Sequence, residues 1–248
     1  MKPEPESSPV LERRELLRSV ASAAGIILVG CAASGANRGE AASSSRERKE
    51  GNGKEKAEGE EAEVTPGEDL MQEHGVLERI LLIYDEAARR IDAKESFELS
   101  LVKNCADIVK RFVEDYHEKN EEQFVFPRLQ AAGREVELVS VLSLQHKRGR
   151  EVTDDILRRA GASATPELAQ ALRSFTRMYR PHAAREDTVL FPAFRDVVGR
   201  DAYHELGEQF EDKEHELFGE GGFEKTVAEV ARLEGALGIG DLARFTPA

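Results

Sequence analysis

Two short stretches of this 248-residue chain carry residue types suited to metal chemistry. One is His117-Glu-Lys-Asn-Glu121-Glu-Gln-Phe-Val-Phe126-Pro127. The other is His182-Ala-Ala-Arg-Glu186-Asp-Thr-Val-Leu-Phe191-Pro192. Both fit the pattern H-x-x-x-E-[ED]-x-x-[VL]-F-P. A histidine and a glutamate four residues apart lie one turn apart on the same helix face. Two such faces turned toward each other offer two imidazoles and two carboxylates to a common point.

The elements that would position them are long helices. Apolar residues recur in steps of three and four from residue 67 onward, and Ala, Leu, Glu and Arg dominate there. The spacing predicts a first helix over 67–93, whose apolar line Leu70, Leu77, Leu81, Tyr84 contains His74. A second, over 95–131, runs through Val102, Ala106, Val109 and Val113 to His117, Glu121 and Phe124, and closes at Gly133. A third, over 135–160, runs through Val139 and Leu142 to His146. A fourth, capped by Thr165 with Pro166 at its first position, runs through Leu168, Leu172, Phe175 and Tyr179 to His182 and Glu186. Pro127, Pro181 and Pro192 should disturb these helices. A fifth helix over 200–218 carries His204 and His215, and a short sixth ends near 235. The fold class is all-α: an up-down-up-down four-helix bundle with extra C-terminal helices.

The repeat is larger than the motif. Helices one and two supply a lone His74, then His117 and Glu121. Helices three and four supply a lone His146, then His182 and Glu186. All six lie on apolar, bundle-facing lines. A single histidine in such a place is ordinarily a satisfied core residue, but an unpaired buried carboxylate costs several kcal/mol. No Lys or Arg recurs on this face in both halves, so bound metal is the economical partner. Nitrogen and oxygen ligands without thiolate suit Fe, Mn, Zn or Cu, and two carboxylates among several histidines point to two metals bridged by carboxylate.

Ferritin-like di-iron bundles use Glu-x-x-His pairs; this chain has His-x-x-x-Glu followed by [VL]-F-P. That pattern resembles the hemerythrin-like (HHE cation-binding) domain family, over roughly residues 68–218. The resemblance implies a non-haem di-iron centre, oxo- or hydroxo-bridged, in a four-helix bundle. His74, His117, His146 and His182 would be terminal ligands and Glu121 and Glu186 bridges; another divalent metal is an alternative occupant. Dioxygen or a similar small ligand would be the partner. The oxygen-carrying members have a fifth histidine one turn after the helix-three histidine, and here that place is Arg150. His215, His204 and Glu118 are candidate replacements, with His215 favoured because the fifth helix can pack across the bundle end. An open metal position keeps a second reading in play, that of a di-iron oxidase, peroxidase or NO-reacting enzyme. Iron storage or sensing is a third.

The remaining sequence sets the context. Paired Arg13-Arg14 precede an apolar stretch, Val20 to Gly30, too short to span a bilayer. The arginines resemble a twin-arginine export signal, with Leu16 where Phe is commoner, and Leu28-Val29-Gly30-Cys31 resembles a lipobox. Residues 1–31 thus read as an export signal whose lipidated Cys31 would anchor the protein at a bacterial cell envelope. Residues 32–66, charged and poor in large apolar side chains, read as a disordered tether. Residues 67–248 form the helical domain. The formal net charge of -13 argues against a nucleic-acid partner. Cys105, the other cysteine, reads as a small buried apolar residue, with no disulfide expected.

Overall fold

The computed structural model describes residues 64–247, and all regular structure within them is helical. The expected export signal and lipobox, and nearly all of the expected tether, lie outside the described residues. Helix α1 is Pro66–Ala93. Helix α2 spans 100–131 as consecutive segments: Ser100–Ile108, a π-helical Val109–His117, Glu118–Asn120, a π-helical Glu121–Val125, and Phe126–Ala131. Helix α3 is Val136–Ala160. Helix α4 spans 166–198 as Pro166–Arg185, a π-helical Glu186–Leu190, and Phe191–Val198. Helices α5, Arg200–Phe218, and α6, Gly222–Ala236, follow.

Local chemistry sets the helix ends. Thr65 and Glu68 form a capping box at the start of α1, and Thr165 accepts from Leu168 N–H at the start of α4. Lys94 takes the left-handed conformation (φ 56°) and Glu95 N–H bonds back to Arg90. That closure ends α1 and delays α2 to Ser100, five residues later than the spacing predicts. Gly133 (φ 65°) closes α2, with Arg134 N–H returning to the Leu129 carbonyl.

Side-chain pairs between neighbouring helices show the antiparallel order. His74, Asp85 and Asp92 on α1 meet Asp187, Arg180 and Arg173 on α4, so one numbering rises as the other falls. Lys110 and Glu118 on α2 meet Asp154 and Arg150 on α3 in the same opposed sense. The bundle is closed by short turns, as expected for this topology.

The core divides into two apolar layers. One holds Leu77, Leu81, Tyr84, Val109, Phe112, Phe175 and their neighbours. The other, at the opposite end, holds Leu70, Val125, Leu129, Val139, Leu142, Leu190, Phe194 and Phe210. Helices α5 and α6 complete them from outside. Tyr203 of α5 accepts from Gly67 N–H at 2.9 Å, pinning the start of α1, where an added Cβ would lie 2.5 Å from the hydroxyl. Phe112 and Tyr116 face Phe218, with ring centroids 5.7 and 5.6 Å away. Helix α2 is therefore covered on two sides, which accounts for its apolar residues outside the bundle line. Cys105 is a free, fully buried thiol whose pKa burial pushes up. Among the described residues no helix is long and apolar enough to cross a membrane.

Truncating Phe112 to alanine is expected to cost about 3–5 kcal/mol, because it empties a fully buried site between α2 and the C-terminal helices. Thr65→Ala, which removes only a cap, should cost about 1 kcal/mol. Chemical denaturation checks both; near-equal losses would contradict this placement of the C-terminal helices.

Candidate metal centre

Between the two apolar layers lies a polar stratum. Its centre is formed by Glu121 and Glu186, both fully buried, each one turn beyond its motif histidine. Four histidines surround them: His74 from α1, His117 from α2, His146 from α3 and His182 from α4. Two groups of possible ligand atoms result. One is His74, His117, Glu121 and Glu186; the other is His146, His182, Glu121 and Glu186. Both glutamates belong to both groups. Glu186 Oε2 lies 3.3 Å from His74 Nε2 and 3.1 Å from His182 Nε2. Glu121 Oε2 lies 3.7 Å from His117 Nε2 and 3.3 Å from His146 Nε2. Each carboxylate thus stands between one histidine of each group, where a bridging ligand must stand.

The structure brings together six of the seven residues singled out from sequence. His215 stands apart, exposed on α5, and joins neither group. Helix α5 turns Tyr203, Leu206, Phe210 and Glu214 inward, and the residue after Glu214 points about 100° away from that face. The expected role of His215 as a ligand finds no support in this placement, and His204 is likewise exposed.

Each of the four central histidines is oriented through its second nitrogen. His117 Nδ1 lies 2.7 Å from Glu73 Oε2, and His182 Nδ1 lies 2.9 Å from Gln145 Oε1. His74 Nδ1 lies 2.7 Å from Asp187 Oδ1, and His146 Nδ1 lies 3.2 Å from Glu122 Oε1. An acceptor at Nδ1 fixes the tautomer and leaves the Nε2 lone pair for a metal. Glu122 and Asp187 are the [ED] position of the motif. Each reaches across to the lone histidine of the other half. The motif phenylalanine does the same: Phe126 stacks on His146 at 5.3 Å and Phe191 on His74 at 5.6 Å.

The two π turns explain how a glutamate and a phenylalanine five residues apart act together. Phe126 N–H bonds to the Glu121 carbonyl, and Phe191 N–H to that of Glu186. The following proline would clash with the carbonyl four residues back in a regular helix. A turn widened by one residue relieves that clash at the site, where π turns are frequent. Pro181, by contrast, lies on the exposed side of α4 and leaves its α-helical segment uninterrupted.

Electrostatics mark this stratum as a place for added positive charge. Both oxygens of Glu121, both of Glu186 and His146 Nε2 are buried without a hydrogen bond. Burial lowers the pKa of His74, but its contact with Asp187 and the nearby negative charge of Glu186 outweigh it and raise the value to about 10. His146 is likewise raised by Glu118, Glu121 and Glu122 against its burial. His117, whose burial dominates, is lowered to about 4, and His182 is lowered for the same reason. Burial and the charge of Glu186 push Glu121 up. Glu186 resists its burial and is held low by His182 and His74. The Nε2 atoms of His74 and His117 are 3.0 Å apart. Two nitrogens each about 2.1 Å from one ion, at right angles, have that separation. The donor set fits a pair of metal ions.

Arg150 occupies the place where a fifth histidine was sought. Its Nη2 lies 2.8 Å from Glu118 and 2.7 Å from Glu122. Tyr179 donates to the other Glu118 oxygen at 2.6 Å. Glu118 is almost wholly buried, and that burial raises its pKa to about 7 despite these contacts. Glu118, Glu122 and His146 also offer ligand atoms near one another, so a carboxylate and its counter-ion stand in the place of an imidazole. Sequence reasoning passed over Glu73 and Gln145. The internal repeat holds the signal, since each directly precedes the lone histidine of its half.

The model of the hemerythrin HHE cation-binding domain matches residues 65–194 and again residues 137–233. Among curated proteins, an uncharacterized protein of Mycobacterium bovis and one of Mycobacterium tuberculosis are each 45% identical over 242 residues. The alignments cover 95% of this chain and 91% of each relative. No solved structure matches the chain significantly.

Gly149→Ala tests the polar cluster beside the centre. An added Cβ would lie 1.9 Å from the Tyr179 hydroxyl, so the ring must move and release Glu118. A loss of about 1–3 kcal/mol is expected in thermal or chemical unfolding, as for other overpacked sites. Adding Tyr179→Phe to Gly149→Ala should recover part of it; an unperturbed Gly149→Ala protein would contradict the contact.

Proposed function

The chain belongs to the hemerythrin HHE cation-binding domain family, and from that premise we propose that it is a di-iron protein that binds dioxygen or a related small ligand. His74 and His117 would hold one ion, His146 and His182 the other, and Glu121 and Glu186 would bridge them. The observation that carries this reading is the sharing of both buried glutamates by two histidine pairs. A pair of iron ions, when bound, would supply the electrons that dioxygen takes up at such a centre. The chain supplies the surroundings. Apolar layers above and below exclude water and strengthen every charge interaction in the stratum. The Nδ1 acceptors hold the imidazoles in place. Protons compete with metal for His74 and His146, whose pKa values are raised by the surrounding carboxylates, so affinity should weaken as pH falls.

One observation favours a second reading, that of a di-iron oxidase, peroxidase or NO-reacting enzyme. Glu118, Tyr179 and Arg150 place ionisable groups beside His146, where an oxygen carrier of this family would have another histidine. Such groups can deliver or receive protons. Export and lipid anchoring through Cys31 complete the proposal for where the protein acts. They rest on residues 1–31 alone, and unchanged membrane association of Cys31→Ala would remove them.

Full-length protein purified without chelators should hold two irons per chain, and Glu121→Ala combined with Glu186→Ala should lose nearly all of it. Metal analysis of the two proteins reads this directly; unchanged metal in the double variant would sink the bridged site. Ferrous protein exposed to air then separates the readings. A charge-transfer band that disappears under argon supports ligand carriage, and rapid conversion to a ferric product with peroxide turnover supports the enzyme.

A further inference from the structure

The framework of the centre is two-fold, but its outer ring of acceptors is not. On the His74/His117 side both histidines lean on carboxylates, Asp187 and Glu73. Glu73 is almost completely buried. Asp187 forms no ion pair with Lys or Arg among the described residues. The other side differs twice. His182 leans on an amide oxygen, that of Gln145. His146 leans on Glu122, whose charge is shared with Arg150 at 2.7 Å and Lys119 at 2.6 Å. A carboxylate at Nδ1 makes an imidazole a stronger donor than an amide does, and a carboxylate already paired with two cations has less charge to lend.

We infer that the two metal positions are inequivalent: the His74/His117 position binds its ion tightly, and the His146/His182 position binds the second more weakly and exchanges it first. Gln145, which replaces the glutamate found at the matching place in the other half, is the chief determinant, with Arg150 and Lys119 acting through Glu122. This inference rests on the two-metal reading above, and it makes the His146/His182 ion the more readily lost or substituted.

The test is a stepwise titration of metal-free, full-length protein with cobalt(II), followed by visible absorption and competition with a chelator. Wild type should take up two equivalents in two steps, the first at least about tenfold tighter. His182→Asn should remove the weak step and keep the tight one, and His117→Asn should do the reverse. Two ions sharing bridges repel, so a gap alone does not establish the cause. Glu73→Gln, which gives both sides an amide, should weaken the first step by about 10–100-fold and close most of the gap. Gln145→Glu should tighten the second step. Both variants are nearly isosteric, and helicity by circular dichroism reports whether they fold. Two equivalents bound in a single step would overturn the inequivalence while leaving the two-metal reading intact. Two steps unmoved by Glu73→Gln and Gln145→Glu would overturn the assignment to these residues. Uptake of less than one equivalent by wild type would overturn the two-metal reading and this inference together.

Discussion

Two carboxylates buried face to face, Glu121 and Glu186, set the terms for the rest of this molecule. Neither has an arginine or lysine partner among the described residues, and none of their four oxygens makes a hydrogen bond. A single buried carboxylate in that state costs several kcal/mol, and a second one beside it adds repulsion. The four histidines answer part of this demand. The surrounding carboxylates raise the pKa of His74 and of His146 against their burial. Ions of higher charge answer it better. The apolar layers on either side keep water from doing the same work, so the need for cations follows from the fold itself.

The eleven-residue motif meets this demand as a unit. Its histidine and glutamate offer ligand atoms to a common point. Its [ED] residue and its phenylalanine clamp the lone histidine of the opposite half, one through Nδ1 and the other across the ring face. Its [VL] residue, Val125 or Leu190, is fully buried in the layer beyond. Its proline enforces the widened turn that lets the phenylalanine N–H return to the glutamate carbonyl. Because each copy grips a histidine of the other half, neither half can hold a complete site alone. The long π-helical stretch Val109–His117 has no counterpart in α4. It coincides with the part of α2 that is covered on two sides, by the bundle and by the C-terminal helices.

How much of this could be read from sequence depended on whether spacing determined direction. Six residues on helix faces already marked by apolar neighbours had to point inward, and they do. His215 had no such guide: Glu214 and His215 are adjacent on a helix of weak amphipathicity, and it is Glu214 that turns in, to accept from Phe223 N–H at the start of α6. Glu73 and Gln145 flank the apolar lines, where spacing reads a polar residue as solvated, yet they hold His117 and His182. The prolines announced a disturbance, but not that it would be a wider turn placed at the glutamate. Tyr179 lay on the apolar line of α4 and read as packing. Its hydroxyl found a buried acid only because residue 149 is a glycine.

Three departures from symmetry fall on one side, and that gives them meaning. In the repeat, Glu118 matches Ala183, Arg150 matches Glu78, and Gln145 matches Glu73. Mutual neutralisation explains why two of these changes occur together. A buried Glu118 without Arg150 would be a third uncompensated carboxylate near His146. Arg150 without Glu118 would keep only Glu122, a carboxylate it shares with Lys119. Joined at 2.8 Å they cancel, and Tyr179 takes up the remaining oxygen. What remains is a centre with a symmetric inner ring and a lopsided environment. The His74/His117 side is backed by two carboxylates and is the more strongly donating. The His146/His182 side is less donating and lined with groups able to exchange protons. Glu118 and Tyr179, groups able to exchange protons, thus stand on the His146/His182 side, so any proton transfer coupled to the centre through them would have to pass on that side.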